Sequence, residues 1–262
     1  MGLDQKNITA LGDELFDAWR DARQIAPITE REPDITVDEA YRVQLRTIDR
    51  RLEQGEHIVG KKIGITARAV MQMLKVDQPD FGHLLSGMTY NEGEPLDAKL
   101  FCQPRGEGEI AFILGKDLAG PGVKGPDVLA ATECIMPAFE IVDSRVKDWK
   151  IRIQDTVADN ASAAAFVLGD TAISARGLDL ATCGMVLEKN GEIIGTGAGA
   201  ASLGNPVNAV AWLANTLGEL GIVLRAGEVI LSGSLSIMFP IQAGDVLRMS
   251  LNGIGNVSCR FA

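Results

Sequence analysis

Gly106-Glu-Gly-Glu-Ile-Ala-Phe-Ile-Leu114 reads as a buried strand broken by two acids, Glu107 and Glu109. Side chains alternate along a strand, so both carboxylates leave one face while Ile110, Phe112 and Leu114 point the other way, into a core. A third acid, Glu140, interrupts a second apolar run, Met136-Pro-Ala-Phe-Glu-Ile-Val142. Burying one bare carboxylate is costly, and burying three close together costs more. A hard divalent cation relieves that cost, and three carboxylates with open positions suit Mg²⁺ or Mn²⁺. The competing reading puts each Glu at a wet sheet edge or beside an Arg or Lys. Spacing alone leaves both open.

Outward from this strand, the pattern predicts further strands near 58–65, 137–143, 163–168, 184–189, 192–197, 228–233 and 245–251, with one more at the C-terminus. Asn190-Gly191 is a type I′ hairpin signal, and Asn252-Gly253 is a second. Leu11, Leu15, Phe16 and Trp19 have helical spacing within 8–24. A loop rich in Pro and charge follows. Thr36 with Glu39 matches a capping box opening a helix that Gly55 stops. A short helix is expected over 66–76, another over 126–134, and one from Asn205-Pro206 to Gly221. The class is α+β with a mixed sheet, divided into an N-terminal α/β part (1–75) and a larger strand-dominated part (76–262).

The 262 residues suffice to bury a core, and a 46% hydrophobic composition argues against disorder. Lys plus Arg number 25 against 35 Asp plus Glu, a net charge of −10 that disfavours nucleic acid and anionic membrane as partners. A small anionic substrate stays open, because a bound metal inverts the local field. Four scattered cysteines without a C-x-x-C pair read as small buried residues in a reducing compartment. The N-terminus carries no basic-then-apolar leader and no apolar run reaches membrane-spanning length, so the expected location is the cytoplasm. Two histidines, His57 and His83, exclude a three-His zinc site and leave no recognisable triad. Both read as surface or ordinary core histidines. Acid–base work falls on carboxylates, Lys or metal-bound water.

Gly60-Lys-Lys-Ile-Gly64 puts a lysine on each face of a strand. One is expected to be buried or cleft-facing if the strand is central, where apolar neighbours can lower its pKa; the alternative is that both snorkel to solvent at the strand end. Asp77-Gln-Pro-Asp80-Phe-Gly82 reads as a turn with two acids, by default for capping. Asp143-Ser-Arg145 follows the strand of Glu140. Asp155-Thr-Val-Ala-Asp-Asn-Ala-Ser162 is dense in short polar groups, part for caps and part for a pocket. Ser232-Gly-Ser234 ends a strand with a glycine that permits close approach of a ligand. Gly195-Thr-Gly-Ala-Gly199 lacks the spacing and context of a dinucleotide fingerprint and reads as a turn before the Asn205 helix.

Together these segments resemble the fumarylacetoacetate hydrolase superfamily, and within it the hydratase/decarboxylase branch of meta-cleavage pathways. The resemblance spans nearly the whole chain. It is carried by Val59-Gly-Lys-Lys-Ile-Gly-Ile-Thr66, Gln78-Pro-Asp-Phe-Gly82, Glu107-Gly-Glu-Ile-Ala-Phe112, Phe139-Glu-Ile-Val-Asp-Ser-Arg145, Trp149-Lys-Ile, Gln154 to Ser162 and Ile230-Leu-Ser-Gly-Ser234. It implies a mixed β roll with peripheral helices and a smaller helical N-terminal part. It implies metal ligands Glu107, Glu109 and Glu140, catalytic Lys62 and Asp80, and substrate-binding Ser162 and Ser234, with Mg²⁺ or Mn²⁺ as cofactor. The implied reaction is hydration of 2-hydroxypenta-2,4-dienoate to 4-hydroxy-2-oxopentanoate by a homo-oligomer that can associate with the pathway 4-oxalocrotonate decarboxylase. Two alternatives are decarboxylation of 2-oxohex-3-enedioate and service as a non-catalytic partner subunit. A decarboxylase needs a basic residue for its second carboxylate, and Arg145 and Lys150 are the nearest candidates in these segments.

Overall fold

The computed structural model describes residues 2–262. Helix α1 (Gln5–Arg20) is capped by Asp4, whose carboxylate accepts from Asn7 N at 2.8 Å. The Pro-rich stretch expected to be loop holds one short helix, α2 (Ile28–Arg31). Buried Asp155 fixes it, accepting from Thr29 N at 3.0 Å and the Thr29 hydroxyl at 2.7 Å. Helix α3 (Val37–Glu53) opens with the expected capping box between Thr36 and Glu39. Residues Ile8, Leu15, Ala18, Ala40 and Val43 of α1 and α3 form a small helical core.

Then follow β1 (Ile58–Gly64), α4 (Arg68–Leu74), β2 (Asp80–Leu85), β3 (Thr89–Asn91), β4 (Pro95–Leu96), β5 (Arg105–Leu114), α5 (Gly125–Ala131), β6 (Thr132–Val142), α6 (Ile153–Ala158), β7 (Ala163–Leu168), β8 (Gly184–Lys189), β9 (Glu192–Ala198), α7 (Pro206–Glu219), β10 (Val229–Leu231), β11 (Phe239–Pro240), β12 (Val246–Leu251) and β13 (Gly255–Phe261). One sheet runs β2-β1-β10-β5-β6-β7-β3, with β11 added on β5; a second runs β4-β13-β12-β8-β9. The first is mixed: β1–β10 and β3–β7 are parallel and its other pairs antiparallel. This is the α+β architecture the sequence implies. Strand β1, from the first 75 residues, lies inside the same sheet as the strands that follow.

Strand β5 decides how the layers meet. Ile110, Phe112 and Leu114 enter the core between the two sheets with Met185, Leu187, Leu247 and Met249. Ala111 looks the other way, toward Leu84, Phe166 and Leu231. Glu107 and Glu109 share that second face. The hairpin β8–β9 turns at Asn190 and Gly191 with φ of 55° and 84°, as its sequence demands.

Several local expectations are corrected. The stretch from Asp80 is not a turn: Asp80 starts β2, which pairs antiparallel with β1 and is buried along its whole length. The helix expected to reach 134 ends at Ala131, because residues from Thr132 on are recruited to pair with β5. Of the cysteines, Cys183 and Cys259 are buried as expected, whereas Cys102 and Cys134 are half-buried; all four are free thiols. Among the described residues no helix is long and apolar enough to cross a membrane.

Candidate active site

Antiparallel pairing places Glu107 directly opposite Glu140, with Glu109 two residues along on the same face. One oxygen from each of the three carboxylates lies within 4.8 Å of the others. Glu109 and Glu140 are fully buried, so the wet-edge reading does not hold for them. Glu109 Oε2 accepts from Gly233 N at 2.7 Å, an amide aimed by the left-handed φ of 96° that glycine tolerates. Glu109 Oε1 and both oxygens of Glu140 have no hydrogen-bond partner. Lys62 Nζ lies 3.2 Å from Glu140 Oε1, near enough for charge attraction but out of line for a hydrogen bond.

One ammonium does not balance three clustered carboxylates, two of them buried. Burial first, then the charge of Glu140, pushes Glu107 up to about 7. Burial, Glu140 and Glu107 push Glu109 well above the ordinary carboxylate range. A buried, all-oxygen donor set with orphaned lone pairs fits a hard divalent cation.

The two lysines of β1 part as strand alternation requires. Lys61 pairs with Glu228 at 3.0 Å, and Lys62 enters the acidic site. The expected fall in the Lys62 pKa is reversed. Burial alone would lower it, but Glu140, Asp80, Glu107 and Glu109 together outweigh burial and raise it, so Lys62 stands as an ammonium donating to Ala161 O at 3.0 Å. Asp80 sits opposite Gly64 in the β1–β2 register. It is buried with Oδ1 unpartnered, and burial pushes its pKa up to about 6 against the pull of Lys62. A Cβ at Gly64 would run into both Asp80 Oδ1 and Lys62 Nζ, so the two groups flank one space.

That space belongs to a cavity of about 470 Å³ that Lys62, Asp80, Glu107 and Ser162 line, with Val70 and Leu74 of α4 among its apolar walls. Asn160, Ala161 and Ser162 all take left-handed φ, 55°, 49° and 57°. Such a run costs on the order of 1–3 kcal/mol per residue and persists only where neighbours enforce it. Asn160 enforces it here: its Oδ1 accepts from His83 N at 2.8 Å and its Nδ2 donates to His83 O at 2.9 Å. The bend turns the Ala161 carbonyl to Lys62 and brings Ser162 to the cavity, its hydroxyl 3.4 Å from that of Thr156. This part was hidden in the sequence; its one signal was an Asn, tolerant of left-handed backbone, inside a polar run.

Ser234 stands apart. It does not line the cavity, and its hydroxyl donates to Ser236 O at 2.8 Å. Neither basic residue nominated for a second carboxylate reaches the cavity. Arg145 is buried and consumed by Asp159, Asp143 O and Asp159 O; Lys150 is exposed, 3.4 Å from Asp148. The cavity's second cation is Arg105, which sequence reasoning passed over although it precedes Glu107 by two positions and so shares its face. Of the histidines, His57 is exposed. His83 is a core residue with Nδ1 3.0 Å from Gln44 Oε1, its pKa lowered to about 3 by burial and then by Lys61.

The chain matches the family model of the fumarylacetoacetate (FAA) hydrolase C-terminal domain over residues 69–262. It is 61% identical over 222 residues to a 2-hydroxypent-2,4-dienoate hydratase of Pseudomonas putida, covering 84% of this chain and 100% of that one. It is 52% identical over 260 residues to a 2-hydroxyhexa-2,4-dienoate hydratase of Comamonas testosteroni, covering 98% of each. Among solved structures it resembles the 4-oxalocrotonate decarboxylase of Pseudomonas putida G7, complexed with magnesium and adipate, at a TM-score of 0.96 and 36% identity over 99% of each chain.

Proposed function

The chain belongs to the fumarylacetoacetate hydrolase family, and from that premise we propose that it is a metal-dependent hydro-lyase. It adds water to 2-hydroxypenta-2,4-dienoate, giving 4-hydroxy-2-oxopentanoate in the meta-cleavage degradation of aromatic compounds. The observation that carries this reading is a cluster of three carboxylates, two of them buried with unpartnered oxygens, beside a cavity that Glu107, Lys62 and Asp80 line. Glu107, Glu109 and Glu140 would hold the ion, Mg²⁺ or Mn²⁺. When bound it supplies Lewis-acid polarisation of the oxygens of a 2-oxo acid.

The chain's own residues handle protons. Hydration removes the proton of the C2 hydroxyl and delivers one to C5; water oxygen then bonds to C4 and a proton to C3. Asp80, whose pKa burial raises above the ordinary carboxylate range, is the candidate for proton transfer in either direction. Lys62, held as an ammonium, donates and stabilises negative charge. Val70 and Leu74 help keep bulk water from the reacting carbons. Ser162 offers a hydroxyl to substrate; Ser234 serves through the turn that carries Gly233.

A second reading, decarboxylation of a 2-oxo diacid, gains one supporting observation: Arg105 gives a second carboxylate a cationic partner inside the cavity. In the hydratase reading the chain works in the cytoplasm, assembles with copies of itself and can associate with the pathway decarboxylase; exposed Ile193 and Ile237 are apolar surface of the kind such contacts cover. The test is incubation with freshly generated 2-hydroxypenta-2,4-dienoate and, in parallel, 2-oxohex-3-enedioate. The expected product is 4-hydroxy-2-oxopentanoate, with little CO₂ from the diacid. Stoichiometric CO₂ at a rate matching hydration would reverse the two readings.

A further inference from the structure

Arg105 is built into the cavity wall rather than left to solvent. Its guanidinium carbon lies 4.5 Å from the ring centroid of Trp149. The indole is itself fixed, donating from Nε1 to Gln103 O at 3.1 Å, and the Gln103 side chain is tied down by donation to Ser144 O and Val146 O. Asp148 and Trp149 take left-handed φ, 58° and 53°, so the turn that presents the indole is strained. The stacked face leaves the N–H fork of the guanidinium free at its edges.

That fork has no partner. Among the described residues Arg105 makes neither an ion pair nor a side-chain hydrogen bond, whereas Arg145 is saturated. Nearby Asp148 is turned to Lys150. Lys62 and Arg105 are the cations among the lining residues, and Lys62 is already engaged by Glu140 and Ala161. A planar fork, stacked, partly shielded and on the same strand face as Glu107, matches a carboxylate in geometry and charge.

We propose that Arg105, held by Trp149, is a carboxylate-binding subsite that fixes the substrate's acid group and so orients the carbon chain. This rests on the 2-oxo acid reading above. In hydration the group is the single C1 carboxylate; in a diacid it could also be the distal one.

The test is calorimetry on the Mn²⁺-loaded protein with two unreactive ligands, 2-oxopentanoate and 2-oxohexanedioate. Arg105→Met should bind both about ten- to a hundredfold more weakly than the parent, the worth of a charge-assisted hydrogen bond. Arg105→Lys should recover part of the loss, keeping charge without the fork, and Trp149→Leu should show a smaller loss of the same kind. Mn²⁺ affinity measured without ligand should be unchanged in all three, which separates the subsite from the metal site and from misfolding. A loss confined to 2-oxohexanedioate would keep a carboxylate subsite at the distal end of a diacid and overturn its role on the C1 carboxylate of the dienoate. Parent-like binding of both ligands by Arg105→Met would overturn it. Because neither ligand turns over, weakened binding in a protein that fails to hydrate the dienoate removes the proposed reaction but keeps the subsite; hydration with parent-like binding does the reverse.

Discussion

Arg145 and Lys62 are both buried cations among carboxylates, yet their surroundings differ in kind. Around Arg145, Asp159 accepts from the Arg145 backbone N at 2.8 Å and from Nε at 2.6 Å, and Asp143 accepts from Cys102 N and Gln103 N. Around Lys62, four carboxylate oxygens on Asp80, Glu109 and Glu140 have no hydrogen-bond partner. The first cluster is complete as folded and joins β6, its following loop and α6. The second has charge and lone pairs left over, and it opens on a cavity. Buried polar atoms without partners persist where something outside the chain satisfies them. The contrast separates a structural ion pair from a binding site without reference to residue type.

The largest expected effect tests that contrast on stability. Asp159→Ala leaves a buried guanidinium without its partner and should cost roughly 3–5 kcal/mol in chemical denaturation. Glu140→Gln in chelator-treated protein should keep or raise stability, because it removes one of several crowded negative charges. Equal destabilisation by the two changes would erase the distinction. Next comes chemistry. Lys62→Met should lower kcat by roughly 10²–10⁴, the range for a positioned proton-transfer group, while Lys61→Met should act mainly on stability through Glu228. Equal, mild effects on turnover would remove Lys62 from the mechanism.

Much of the contrast was legible in the sequence. Alternation in Gly106–Leu114 put Glu107 and Glu109 on one face, and the same rule split Lys61 from Lys62. Long periodic segments such as α1, α3 and α7 announced themselves through stripes and caps. What was hidden depends on contacts distant in the chain. The strand nature of Asp80–Leu85 comes from pairing with β1, and its local sequence of Pro, Asp and Gly says turn. The left-handed run at Asn160 depends on the backbone of His83, 77 residues away. Arg145 beside the strand of Glu140 looked available, and only the fold reveals that Asp159 has taken it.

A smaller effect separates His83 from both clusters. Folding holds it neutral, with a pKa near 3 against about 6.5 when unfolded. Its contribution is complete above pH 6.5 and is lost as pH falls toward 3, because the unfolded chain takes up the proton first. The expected slope is up to about 1.4 kcal/mol per pH unit in that window. His83→Gln should flatten the dependence relative to the parent; an unchanged slope would mean that the ring protonates in the folded state. Different in kind is the coupling of metal to protons. In the metal-free protein Glu107 and Glu109 hold their protons up to unusually high pH, so Mn²⁺ must displace them. Affinity should therefore fall as pH drops below about 7, and pH-independent binding would count against these ligands.

The most direct measurement is Mn²⁺ titration of chelator-treated protein and of Glu107→Gln, Glu109→Gln and Glu140→Gln, followed by calorimetry, with folding checked by circular dichroism. The expected result is one ion per chain in the parent and clearly weakened binding in each folded variant. Parent-like Mn²⁺ affinity in all three would contradict the assignment and place the ligands elsewhere.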